Sequence, residues 1–177
     1  VYGSEGDDTM LGGAGADTLD GGDGFDTLDY SEDHDAGGML GVTVDLDTGL
    51  ATDGWGDTDA VSGFERVIGT RHADTLAGGA HDDGYRVLIG LAGYDTLRGS
   101  PESEYIADYR FDAEHGGTAG ITADLKLGTV IDGFGNTDTL IDAKTLEATD
   151  GDDLLIGGDE EHPLDWALYG HGGDDTS

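Results

Sequence analysis

The chain has 177 residues, of which 7 are Lys or Arg and 40 are Asp or Glu, for a formal charge of −33 at pH 7. With 34 Gly, 2 Pro and 7% aromatic residues, it has little material for a conventional core, because glycine buries no side chain and carboxylates resist burial. This charge excludes the basic surface a nucleic acid needs, disfavours an anionic membrane and makes the compact chain repel itself unless multivalent cations intervene.

The absence of Cys excludes disulfides and thiolate metal sites. No apolar run approaches the roughly 18 residues of a membrane-spanning helix, so no membrane insertion is expected. The sequence starts at Val1 and stops mid-pattern at Ser177, so it reads as a piece of a longer protein.

Periodicity organises the chain from its first residues. Gly3 to Leu11, Gly12 to Asp20 and Gly21 to Asp29 are three tandem nonapeptides. Each has Gly first and fourth (Gly3 and Gly6, Gly12 and Gly15, Gly21 and Gly24). Asp8, Asp17 and Asp26 stand sixth, and Met10, Leu19 and Leu28 eighth. An acidic stretch over 31–38 follows and reads as a surface loop. Val42, Val44 and Leu46 then alternate with polar residues ahead of a turn at Asp47, Thr48 and Gly49. That is a strand signal, expected to form a longer rung that interrupts the stack without ending it.

Looser nonapeptides bring Asp59 with Val61, and later Asp138 with Leu140. Asp57 and Asn136 stand at their fourth places, and both residue types tolerate a left-handed turn. Regular copies return at Gly69 to Ala77, with Asp74 and Leu76, and at Gly90 to Arg98, with Gly93, Asp95 and Leu97. Between them Asp83 reaches its strand, with Leu88, after three extra residues; Gly99 to Ala107 carries Glu104 and Ile106. Ile121, Ala123 and Leu125 repeat the alternating strand. Ala148 to Ile156 contributes Asp153 and Leu155, and Asp175 closes the series.

A longer order near 79 residues lies above the short one, pairing Gly41 to Leu46 with Gly120 to Leu125 and Asp53 to Gly56 with Asp132 to Gly135. It divides one continuous solenoid over 1–177 into long units at 1–79 and 80–158, with a third opening at 159–177.

The nonapeptide suits calcium, a hard cation that takes six to eight oxygen ligands. Glycine lets backbone carbonyls turn towards one point, and the sixth-place acid adds a short charged ligand. Two nonapeptides complete one coil, so Asp8 should stack on Asp26 with Asp17 on the opposite side, Asp74 on Asp95, and Asp83 on Glu104. The eighth-place residues, including Ile106, are expected to form the core. A flexible acidic linker would not place an apolar residue two positions after an acid so regularly.

Other chemistry finds little purchase. The histidines (His34, His72, His81, His115, His162 and His171) form no close ligand pair in sequence. Acids are too abundant to mark a catalytic pair, and no nucleophile elbow or phosphate loop is present. Trp55 and Phe134 hold equivalent places as packing residues or as a sugar-stacking platform.

The nonapeptides resemble those of the RTX proteins, the secreted bacterial repeats-in-toxin group. The resemblance implies an all-β fold, a right-handed parallel β-roll, with several calcium ions as cofactor. It implies type I secretion by a bacterium to the extracellular space or cell surface. By matching positions, the ligands would be Asp8, Asp17, Asp26, Asp74, Asp95 and Asp153 with the turn carbonyls, then Asp59, Asp83, Asp138 and Asp175; Glu104 departs from the pattern. Two readings of function result. One is a non-enzymatic structural segment of a large adhesin, surface-layer or scaffold protein, whose partners are calcium, neighbouring repeats of the parent chain, and a surface glycan or a second copy. The other is a non-catalytic appendage of a secreted protease, lipase or alginate epimerase.

Overall fold

The computed structural model describes residues 1–80, 84–100, 103–157 and 167–176. The nonapeptides open the chain as β1 (Tyr2–Glu5), β2 (Thr9–Met10), β3 (Thr18–Asp23) and β4 (Thr27–Asp29), followed by a short helix α1 (Asp33–Ala36). Next come β5 (Thr43–Asp45), β6 (Leu50–Thr52), β7 (Thr58–Ser62), β8 (Arg66–Ile68), β9 (Thr75–Ala77), β10 (Tyr85–Ile89), β11 (Thr96–Arg98) and β12 (Glu104–Asp108). The chain continues with β13 (Thr122–Asp124), β14 (Thr129–Ile131), β15 (Thr137–Ile141), β16 (Thr145–Glu147), β17 (Leu154–Ile156) and β18 (Ala167–Tyr169).

These strands form two sheets, one of 11 strands in the order β1-β3-β7-β6-β5-β9-β11-β15-β14-β13-β17 and one of 7 in the order β18-β16-β12-β10-β8-β4-β2. Successive nonapeptides alternate between the sheets, so Tyr2 pairs with Asp20 and Thr9 with Thr27, both in parallel. The fold is a parallel β-roll. Short strands suffice because each coil needs only one inward side chain per sheet, and stacking makes the core continuous.

In the smaller sheet that ladder is Met10, Leu28, Val67, Leu88, Ala107, Leu146 and Leu168, in register from strand to strand. Opposite it lie Leu19, Val44, Leu76, Leu97 and Leu155, all nearly sealed from solvent. A second apolar cluster of Ile68, Val87, Ile89 and Leu91 occupies the other face of the smaller sheet.

Four expectations are corrected. The alternating segments are not longer rungs. β5, β6 and β7 form an antiparallel meander, as do β13, β14 and β15. A tight turn returns the chain at once, and the two flanking parallel neighbours are met by the outer strands. The acidic stretch after Tyr30 is no loose loop: it contains α1, and Asp33 is buried. Ile106 leaves the main core and packs on the outer cluster, while Tyr105 and Ala107 point inward. A one-residue offset reverses a strand's faces. Finally, Gly56 and Gly135 take the left-handed turn at φ 90°, not Asp57 and Asn136.

Candidate calcium-binding turns

In the regular nonapeptides the sixth-place acid folds back over the first glycine of its own repeat, whereas Gly54 and Gly133 face Asp33 and Asp112 instead of Asp59 and Asp138. A Cβ at Gly21 would lie 2.7 Å from Asp26 Oδ2, and one at Gly90 2.5 Å from Asp95 Oδ2. Side chains at Gly3, Gly69 and Gly170 would likewise crowd Asp8, Asp74 and Asp175, and Gly12 faces Asp59 and Asp17. The first glycine is therefore required for space. At the fourth place Gly6 (φ 103°) and Gly15 (φ 107°) serve conformation, a region closed to most L-residues, whereas Gly24 is needed for space against the Gly6 carbonyl.

The acids stack through backbone donors. Asp8 N–H donates to Asp26 Oδ1 at 2.8 Å, and Asp74 N–H donates to Asp95 Oδ1 at 2.8 Å. Asp17 N–H reaches Asp59 at 2.9 Å, Asp95 N–H reaches Asp138 at 3.0 Å, and Asp153 N–H reaches Asp175 at 3.1 Å. The expected pairs Asp8–Asp26 and Asp74–Asp95 thus meet. The partners of Asp17, Asp138 and Asp175 lie across insertions that periodicity alone does not resolve.

Asp83 lies outside the described residues, as do His81 and His162. Glu104 starts β12 opposite Tyr85, one residue before the stacking position, which Tyr105 holds next to Arg86. Sequence reading missed Glu65, which accepts the Asp26 N–H at 2.8 Å and so continues the column from Asp8 and Asp26. Its signal was present: Glu65 precedes the apolar Val67 by two, as Asp8 precedes Met10. His34 and His72, remote in sequence, meet at 3.2 Å. Among the described residues no three His, Asp or Glu side chains converge on one point as a ready-made metal cage.

The acids differ in what their second oxygen does. Asp8, Asp26 and Asp95 each keep Oδ2 buried with no hydrogen-bond partner. Asp74 is saturated by Thr70 N–H and hydroxyl and by Val42 N–H, and Asp153 by Thr149 and Ile121 in the same way. Tyr30 and Tyr109 donate their hydroxyls to Asp59 and Asp138, each at 3.1 Å. Burial first, then the charges of Asp74 and Asp138, push the Asp95 carboxyl up to about 9. Burial raises Asp74 and Asp138 to about 7. The charges that bear on these groups are those of other carboxylates, and a calcium ion would supply the missing counter-charge. The oxygens of Asp8, Asp26 and Asp95, beside crowded glycine turns whose remaining ligands would be carbonyls, fit such an ion.

A β-roll with stacked acidic turns is the architecture of a calcium-binding repeat protein. The family model of the RTX calcium-binding nonapeptide repeat matches four copies in this chain, over residues 1–35, 59–85 and 145–160. Those segments carry the repeat of the RTX calcium-binding proteins, and the rest of the chain continues the same roll. No curated protein matches it.

Proposed function

We propose that this chain is a structural segment of a secreted or cell-surface protein, without catalysis of its own, and that calcium turns it from a self-repelling chain into a stiff rod. The observation that carries this reading is the buried, unpartnered Oδ2 of Asp8, Asp26 and Asp95. An uncompensated buried charge costs several kcal/mol, so a cation at these oxygens offsets the main obstacle to folding. An ion that binds only the folded chain stabilises it by about 2.7 kcal/mol at a hundredfold excess over its Kd. Low calcium inside a cell would keep the chain extended, and higher calcium outside would fold it.

The test is far-UV circular dichroism during a calcium titration, with magnesium as control. A cooperative, calcium-specific gain of β-signal supports the proposal. A β-spectrum that persists through thorough chelation overturns it.

A further inference from the structure

The meanders carry buried acids that the nonapeptide turns do not use. Asp33 and Asp53 in the first copy, and Asp112 and Asp132 in the second, are each no more than 4% exposed. Asp53, Asp112 and Asp132 lie outside the segments matched by the repeat family model. The two copies share their construction. Asp33 Oδ2 accepts the Gly54 N–H at 3.0 Å, and Asp112 Oδ2 the Gly133 N–H at 2.8 Å. Asp53 Oδ1 accepts from Trp55 and Asp57 at 2.9 and 2.8 Å; Asp132 Oδ1 accepts from Phe134 and Asn136 at 2.9 and 2.7 Å. Each hydrogen bond to Gly54 or Gly133 brings one carboxylate against the residue that follows the other.

Backbone donors thus fix one oxygen of every acid, and the remaining oxygens point elsewhere. Asp53 Oδ2, Asp132 Oδ2 and Asp112 Oδ1 are sealed from solvent and have no hydrogen-bond partner. The charges that bear on Asp33 are those of Asp53, Asp59 and Asp29, and on Asp112 those of Asp132, Asp138 and Asp108. All are carboxylates. The neighbouring Asp59 and Asp138 are turned to Tyr30 and Tyr109, which leaves two buried carboxylates in each meander.

We propose that each meander holds a calcium ion of its own, between Asp33 and Asp53 in the first copy and between Asp112 and Asp132 in the second. Two carboxylates with carbonyl oxygens and water make a hard, all-oxygen set, which selects calcium over softer metals. The proposal rests on the reading that the chain takes calcium, but it concerns residues outside the nonapeptide turns.

The experiment counts ions bound to the full chain by equilibrium dialysis against radioactive calcium. Asp53→Asn and Asp132→Asn each keep the acceptor for the two turn N–H groups and remove the charge. Each should lower the count by one ion, and the double variant by two. Asp26→Asn, in a nonapeptide turn, should lose its own ion independently.

Terbium supplies a readout that leaves the carboxylates intact. Its emission, excited through Trp55 beside the first pair, should fall in Trp55→Phe, and Phe134→Trp should add a second sensitised signal that Asp132→Asn removes. An unchanged ion count in the double variant, with Phe134→Trp adding no emission, overturns this proposal while wild-type calcium binding stands. A wild-type chain that binds no calcium overturns both readings.

Discussion

The two columns of turns that flank the roll use one geometry but different charges. The column entering the larger sheet is acidic at every nonapeptide position, with Asp17, Asp59, Asp74, Asp95, Asp138, Asp153 and Asp175 joined pairwise by N–H to carboxylate bonds. The column entering the smaller sheet begins with Asp8, Asp26 and Glu65, and then the registers place Arg86, Tyr105 and Lys144 at the same height. Arg86 Nη1 donates to Glu65 Oε1 at 3.3 Å, with both side chains largely buried, and Tyr105 donates its hydroxyl to the Leu97 carbonyl at 3.0 Å. A guanidinium and a phenol stand where a cation and its ligands would be. If calcium fills the acidic turns as proposed, dependence on it would be local to stretches of the roll, with Arg86 bonded to Glu65 in place of an ion.

Removing calcium should divide the two columns most sharply. Hydrogen exchange with and without chelator should show β9, β11 and β15 losing protection first, while β8 and β10, tied by Glu65 and Arg86, hold longer. Uniform loss would mean that the columns act as one unit.

Acidity should mimic the metal next most strongly. The carboxyls of Asp74, Asp95, Asp112 and Asp138 sit at about 7 to about 9 in the folded chain, against roughly 3.9 when unfolded. The folded state thus holds protons that the unfolded state releases. Calcium-free stability should be greatest below about pH 4 and fall as pH rises through 7 to 9, while calcium affinity climbs over the same range. Thermal melts of chelated protein across that range check the sign.

Arg86→Met should cost about 2 kcal/mol by stranding Glu65, and it should raise the calcium needed for folding, as read from denaturant midpoints at fixed calcium. Tyr109→Phe should have the smallest effect, about 1 to 2 kcal/mol, by freeing a buried oxygen of Asp138. A larger loss would mark the tyrosine as a metal-shell residue.

Much of this was legible in sequence because the roll is built from a repeated local rule. An acid two residues before an apolar side chain gave Asp8 with Met10 and Asp95 with Leu97, and both pairs sit where the rule places them. What failed depended on direction or register. Alternation at Val42 and Val44 is the same for parallel and antiparallel strands, so the meanders were invisible. Around Glu104 the acid and the apolar residue still stand two apart, yet the strand is set one residue over, with Tyr105 and Ala107 inward; only packing against Leu88 and Leu146 decides that. Asp33 and Asp53 were lost in a background of 40 acids, because burial and not identity distinguishes them. The meeting of His34 and His72 needed the coil itself.

The meander also bears on the order of assembly. Its pairings, such as Val44 with Ala51, join residues close in sequence, whereas Asp17 must find Asp59 across 42 residues. Local hairpins form within about 1–10 μs, while distant parallel pairings wait on loop closure. Forming β5, β6 and β7 first shortens the stretch of free chain that separates β3 from β7, which lowers the entropy lost when they meet. The antiparallel insert is thus placed to act as a nucleus within a slow parallel topology, on which coils to either side assemble.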